Sequence, residues 1–284
     1  MNASSQPRVV VFGATGKVGG QLVRRLHALG HVTLSVGRNR DVLGTLPGDG
    51  AAFDLTQSDG AAHLIRPGDV VVNAAHARFT QAIAGLCAPG VARLIVLGST
   101  RHLTRFPDAK ADQVRDAMAF LRGVDMPWVV LHPSMIIGAQ GENNVRRIHG
   151  LIRKFHVMPL PDGGRSLIQP IHVDDVVEAV VRAMGAPNAV GREIIIAGPQ
   201  AVSYRDFVQA IARAAGERVW VVPLPYLLMT FLAWLTTILP AVPSIRKGEL
   251  RRLREDKAFD TGDMRTILGL APRPLDDALR QMFS

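Results

Sequence analysis

The sequence predicts a doubly wound α/β fold with a parallel sheet, and three observations carry the prediction. Short, almost wholly apolar runs recur along the chain, amphipathic stretches separate them, and the connections are brief. A strand buried on both faces of a parallel sheet needs no polar alternation. Arg8-Val9-Val10-Val11-Phe12 reads as the first such strand and stops at Gly13. Val18, Leu22, Val23, Leu26 and Leu29 then recur at helical spacing until Gly30 closes the helix. Further strands are expected at His31–Val36, Ala51–Phe53, Asp69–Asn73, Ala92–Leu97, Trp128–Leu131 and Glu193–Ala197. Helices are expected between most of them, at Arg78–Leu86, Asp108–Leu121 and Asp174–Met184.

After Gly198-Pro199 the rhythm changes. Ser203 is placed to cap a helix running through Ala215. An apolar stretch from Trp220 to Val242 is broken by Pro223, Pro225 and Pro240, and a basic stretch, Arg246 to Lys257, follows. Asp260–Leu268 and Pro274–Phe283 read as helical. The expected division is a nucleotide-binding domain over 1–135 and 168–198, with a smaller C-terminal lobe over 136–167 and 199–284. The fourteen residues between Pro225 and Pro240 fall short of the about twenty that span a bilayer. Three readings stay open for them: a buried helix of the lobe, an interfacial helix with Trp220 and Trp234 at anionic headgroups, or a lid over an apolar substrate.

The chain has 284 residues, 48% of them hydrophobic and 20% charged, enough for a sizeable core and too apolar for global disorder. Cys87 is the single cysteine, which excludes an intramolecular disulfide and any multi-cysteine metal site. The opening MNASSQP lacks the apolar core of a signal peptide, so a cytoplasmic start is expected. The net charge of +9 favours acidic partners, a nucleotide phosphate or the inner face of an anionic membrane. Aromatics are only 5%, and no nucleic-acid-binding motif is present, so no nucleic-acid partner is expected.

Gly13-Ala14-Thr15-Gly16-Lys17-Val18-Gly19 follows the first strand and opens the first helix. In that setting Gly13 permits a tight turn, Gly16 a close backbone approach to a pyrophosphate, and Gly19 the packing of helix on sheet. The helix start then offers N–H groups and partial positive charge to phosphates. The second strand runs into Gly37-Arg38-Asn39-Arg40, with no acid before Asp41. Arg38 and Arg40 therefore point to a 2′-phosphate and to NADP(H) over NAD(H), with NAD(H) left open.

With Phe53-Asp54-Leu55, Asn73-Ala74-Ala75, Leu97-Gly98-Ser99-Thr100, His132-Pro133-Ser134-Met135-Ile136-Ile137-Gly138, Gln169 to Asp175 and Ala197-Gly198-Pro199 in place, the chain resembles the atypical, extended branch of the short-chain dehydrogenase/reductase superfamily. The nearest groups are epimerase-like proteins and the NADPH-binding accessory subunit of respiratory complex I. The resemblance implies a Rossmann domain, with cofactor contacts at Asp54, Leu55, Asn73, Ala74, Ala75, Gly98, Lys110, Pro133 and Met135 beside the glycine loop and Arg38. It also implies an active-site hydroxyl at Ser99. The family's Tyr-x-x-x-Lys pair, whose phenol exchanges the substrate proton, is absent: the matching place reads Phe106-Pro107-Asp108-Ala109-Lys110. Ser99, Lys110 and His76 are the catalytic candidates and His132 is a further proton donor to consider, the alternative for either histidine being a polar residue at a sheet edge. His172-Val173-Asp174-Asp175 reads as a helix start capped by Asp174, with no metal assigned. The expected function is an NADP(H)-dependent oxidoreductase acting on an apolar or quinone-like carbonyl. The alternatives are a non-catalytic NAD(P)H-binding assembly factor or redox sensor, and a nucleotide-sugar epimerase or dehydratase. Oligomeric state stays open.

Overall fold

The computed structural model describes residues 6–57, 62–87, 89–139, 144–225 and 255–283. Six strands open the chain: β1 (Val9–Phe12), β2 (Thr33–Gly37), β3 (Asp49–Ala52), β4 (Val70–Asn73), β5 (Arg93–Leu97) and β6 (Trp128–Pro133). The short strands β7 (Ile136–Ile137), β8 (Val157–Pro161), β9 (Leu167–Ile168) and β10 (Ile171–His172) precede β11 (Arg192–Ile196), and β12 (Val202–Ser203) and β13 (Trp220–Leu224) follow it. The central sheet holds seven parallel strands in the order β11-β6-β5-β4-β1-β2-β3. Every residue of β1 is fully buried and β4 is buried throughout, which is why both read as unbroken apolar runs. β3 lies at the edge and exposes three of its four residues.

The helices are α1 (Lys17–Ala28), α2 (Arg40–Leu43), α3 (Thr80–Leu86), α4 (Ala109–Leu121), α5 (Asn144–Phe155), α6 (Val173–Gly185), α7 (Tyr204–Ala214), α8 (Gly262–Thr266) and α9 (Leu275–Phe283). One sheet face packs Val9, Val11, Val70 and Val72 against Leu22 and Leu26 of α1 and Val176 and Val180 of α6. The other packs Val10, Phe12 and Val71 against Ile83 of α3 and Leu121 of α4. A separate core joins Ile148 and Ile152 of α5, Met158 and Leu160 of β8, Phe207 and Ile211 of α7, and Leu279 of α9. Met264, Leu268 and Leu270 turn back and pack with the α1/α6 side of the sheet.

Several local expectations are corrected. A 3-10 turn, Ala77–Phe79, occupies the start of the helix expected from Arg78. The helix expected over Asp260–Leu268 shortens to Gly262–Thr266. Ser203 caps α7 as expected, through the Asp206 N–H. Asp174 does not cap α6. His172 holds that place, its Nδ1 accepting from the Asp174 N–H at 3.3 Å. Asp174 and Asp175 turn instead to Arg273, whose Nη1 reaches Asp174 at 3.1 Å and whose Nε reaches Asp175 at 3.1 Å. The Arg273 N–H adds a third bond to Asp175. This clamp buttons the C-terminal segment onto α6. Arg273→Ala is expected to lower the unfolding free energy by about 2 kcal/mol, since charge-assisted bonds to a largely buried carboxylate are lost. A shifted urea midpoint at constant m-value checks it.

Tyr226–Leu239, Trp234 and the basic residues from Arg246 to Arg254 lie outside the described residues, so the three readings of that stretch receive no geometry. Among the described residues no helix is long and apolar enough to cross a membrane.

Candidate functional site

The chain winds outward from β1 through β2 and β3, returns, and winds the other way through β4, β5, β6 and β11. The reversal leaves a crevice beyond the C-terminal ends of β1 and β4, where α/β sheets bind ligands. Phe12 and Asn73, the last residues of the two strands, are register partners, so the loops after them start side by side.

The glycine loop lines this crevice. Gly13 has φ of +79°, and a Cβ there would sit 2.6 Å from the Ala75 nitrogen. A Cβ on Gly19 would lie 2.2 Å from the Gly13 carbonyl oxygen. No other residue type fits either place without moving backbone. Gly16 is the N-cap of α1 in extended conformation, and no side chain caps the helix. The first N–H groups of a helix have no acceptor within it, so this end is built to meet an anion. Ala14 is buried, Thr15 and Val18 are half-buried, and Lys17 is exposed. Thr15 packs against Gly37, where a Cβ would lie 2.8 Å from its Cγ2.

Arg38 and Arg40 are exposed just past β2. Asp54 accepts from the Thr56 N–H at 3.0 Å and the Thr56 hydroxyl at 2.9 Å. These bonds, with a smaller contribution from the Arg38 charge, hold its carboxyl below the usual range. Leu55 packs with the α3/α4 core. Asn73 is fully buried and faces its own loop: its amide donates to Thr80 Oγ1 at 3.2 Å, and its Oδ1 accepts from the Ala75 N–H. It therefore shapes the turn through Ala74 and Ala75.

His76 caps the 3-10 turn, its Nδ1 accepting from the Arg78 N–H at 3.3 Å. Burial pushes its pKa down, and the charges of Arg78, Lys110 and Arg101 push it the same way. His76 is therefore neutral at pH 7, in a cationic mouth. Lys110 stands exposed on the first turn of α4, whose N-cap is Asp108. Asp108 also pairs with Arg101 at 3.6 Å.

Ser99 ends the loop after β5 and caps a second 3-10 turn, Thr100–Leu103, its Oγ accepting from the Arg101 N–H at 3.2 Å. An acceptor in this bond keeps its own hydrogen to donate. The Ser99 carbonyl lies 2.7 Å from His102 Nδ1. Thr100 Oγ1 donates to the Pro133 carbonyl, tying β5's exit to β6's.

His132 departs from both expectations, proton donor and polar residue at a sheet edge. β6 lies inside the sheet, between β5 and β11, and His132 is 1% exposed. Neither ring nitrogen has a hydrogen-bond partner. The ring packs on His102, centroids 4.2 Å apart, and a Cβ on Gly98 would lie 2.5 Å from its Nδ1. Burial, then the neighbouring His102, depresses its pKa to about 3. The Ser99 backbone opposes this only weakly, and Glu193, 3.8 Å away, is paired with Arg122 at 2.6 Å. A group this averse to protonation cannot serve as an acid at neutral pH. Pro133 is buried behind it, and Met135 packs on the lobe core.

Phe106, the residue that the sequence resemblance sets against the family's tyrosine, is half-buried. Tyr204 lies in α7 and packs edge-on against Phe207 in the lobe. Tyr226 is outside the described residues. The Cys87 thiol is pushed up to about 12 by burial, which disqualifies it as a nucleophile. Among the described residues no group of three His, Cys, Asp or Glu is placed to hold a metal ion.

Sequence reasoning missed a strap between the loop after β5 and β9. Glu255 accepts from the Thr104 hydroxyl at 2.9 Å and the Arg105 N–H at 2.8 Å. The next residues bond β9: Asp256 accepts from the Leu167 N–H, and the Lys257 N–H donates to the Leu167 carbonyl. It also missed His102, Arg78 and Arg101. Only their position, directly after apolar strand ends, could have marked them.

Comparison with solved structures agrees with this layout. The crystal structure of gox2253 superposes with a TM-score of 0.76 at 19% identity, over 97% of this chain and 96% of that one. UDP-glucuronic acid 4-epimerase from Bacillus cereus, in complex with UDP-glucuronic acid and NAD, gives 0.74 at 14% identity over 97% and 98%. The chain shares the fold of these two structures, a doubly wound parallel sheet with a smaller lobe. The NAD-dependent dehydratase TunA shares this fold with it, at a TM-score of 0.71 and 13% identity over 98% and 96% of the two chains. In sequence, an uncharacterized protein of Mycobacterium tuberculosis is 24% identical over 217 residues, 72% of this chain and 23% of that protein. Subunit 9 of the mouse mitochondrial NADH dehydrogenase (ubiquinone) 1 alpha subcomplex is 26% identical over 159 residues, 55% of this chain and 41% of the subunit. The chain thus spans under a quarter of the first of these relatives and under half of the second. No family model matches it.

Proposed function

We propose that this chain is an NADP(H)-dependent oxidoreductase whose substrate is an apolar, quinone-like carbonyl compound. The observation that carries the reading is the Gly13–Gly19 turn, which has no room for a Cβ at either end and delivers an uncapped helix start to the sheet's reversal point. The residues fit a dinucleotide. The backbone of Gly13 to Val18 would hold the pyrophosphate, Arg38 the 2′-phosphate, and Lys110 the nicotinamide ribose. Asp54 and Leu55 would flank the adenine, Ala74 and Ala75 the bridge, and Gly98, Pro133 and Met135 the nicotinamide end. The nicotinamide group, when bound, supplies the hydride. Ser99 would donate a hydrogen bond from its hydroxyl to the substrate oxygen, keeping its own proton. With His76 and His132 neutral and Phe106 in the phenol's place, these residues supply no strong acid. That favours an electron-poor acceptor such as a quinone, which takes a hydride without prior protonation and its proton from water. On this reading 1–135 with 168–198 holds the cofactor, and 136–167 with 199–284 faces the substrate.

Phe106 equally favours a second reading, a dinucleotide-binding module without turnover, in keeping with the likeness to a respiratory-complex subunit. An epimerase or dehydratase activity is third, for want of the phenol. Calorimetric titration separates the cofactors: NADPH should bind about ten- to a hundredfold more tightly than NADH. Arg38→Ala should erase that difference, and equal losses for both would refute the phosphate assignment. NADPH binding without its oxidation by any carbonyl or quinone would select the second reading.

A further inference from the structure

Strands β8 and β13 pair in parallel, with Trp220 beside Val157 and Val222 beside Pro159. Alternate strand residues leave by opposite faces. Met158, Leu160 and Val221 turn into the lobe core, so Val157, Pro159, Trp220 and Val222 leave by the outer face. Trp220 is 75% exposed, Val157 41% and Val222 40%, and Phe155, at the end of α5, is 51% exposed. Scattered exposed hydrophobics need no explanation, but a contiguous set marks a contact surface.

One rim of this surface is basic: Arg153 and Lys154, both exposed, end α5 immediately before Phe155. Lys154 Nζ sits 5.2 Å over the Phe155 ring, joining rim to apolar centre. Arg218, also exposed, precedes Trp220 by two residues. Glu217 is the acid on this approach, 4.0 Å from His156.

We propose that this face docks on an anionic lipid surface. An indole with aliphatic neighbours suits the boundary between headgroups and acyl chains, and the surrounding cations suit the phosphate layer above it. An acidic polypeptide would match the rim but leave Trp220, Val157 and Val222 without a purpose. The inference is independent of the dinucleotide reading.

The test is co-sedimentation of the full chain with phosphatidylcholine vesicles, with and without phosphatidylglycerol. Binding is expected to the mixed vesicles only and to weaken with salt. Arg153→Gln with Lys154→Gln should weaken it by about thirtyfold, each surface cation contributing about fivefold. Trp220→Ser should weaken it separately, and both variants should keep the wild-type melting temperature and NADPH affinity. No preference for the mixed vesicles would overturn the proposal. So would unchanged binding in both variants, which would mean that another part of the chain meets the lipid, or capture by an acidic protein without lipid binding.

Discussion

Alanine in place of Gly19 is expected to weaken NADPH binding on the order of a hundredfold. Its Cβ would stand 2.2 Å from the Gly13 carbonyl oxygen, closer than any real contact, so the turn must open. Gly13 lies close to Ala75 on its other side, where even an added Cβ would come within 2.6 Å of the Ala75 nitrogen, so there is little room for it to yield toward β4. The Gly16 N–H, bonded to the Gly13 carbonyl at 2.9 Å, moves with it. Two charge-assisted bonds to phosphate, lost at about 1.5 kcal/mol each, account for the expected drop. Gly16→Asp should do similar damage by charge rather than by shape, setting a carboxylate against the pyrophosphate. Calorimetry on both variants, with melting curves to confirm that each is folded, decides the matter. Wild-type affinity in both would remove the dinucleotide from this crevice.

Acid is expected to destabilise the chain early, and His132 is the principal cause. Its folded pKa of about 3 lies below the ordinary 6.5, so between those values the unfolded chain binds a proton that the folded chain refuses. Stability is therefore intact above pH 6.5 and falls by up to about 1.4 kcal/mol per pH unit below it. His172, whose pKa burial also lowers, acts in the same direction. Glu178, held below its usual range by Arg182 and Arg25, adds its loss only lower, on passing below the carboxylate value of 4.5. His132→Leu fills similar space and removes two buried nitrogens that lack partners. Denaturant unfolding between pH 7 and pH 5 should then show a slope smaller by up to one proton, with no loss of stability at pH 7. An unchanged slope would place the acid sensitivity elsewhere.

The parts of this molecule legible in the sequence are those where local pattern and final environment agree. β1, β4 and β5 are buried on both faces, and their valines and isoleucines say so without help. The glycine loop is legible because a crowded turn leaves only glycine as a solution. The short strands β7, β9, β10 and β12 are not legible, since two residues carry no period and their pairing is decided by distant chain. His172 holds the cap expected of Asp174 because α6 begins one residue before Asp174, which places both carboxylates in the first turn, within reach of Arg273 from nearly a hundred residues away. His132 looked like a polar strand end. It is buried because β11 extends alongside as far as Pro133 and His102 folds over the ring. The cations around His76 come from three separate elements, a meeting that no spacing along the chain announces.

Glu255, Asp256 and Lys257 give the chain a tether with two anchorages. One end grips the loop leading from Ser99 into α4, and the other grips β9 of the lobe. Three consecutive residues thus couple two regions far apart in sequence, and a displacement of either should pull on the other through them.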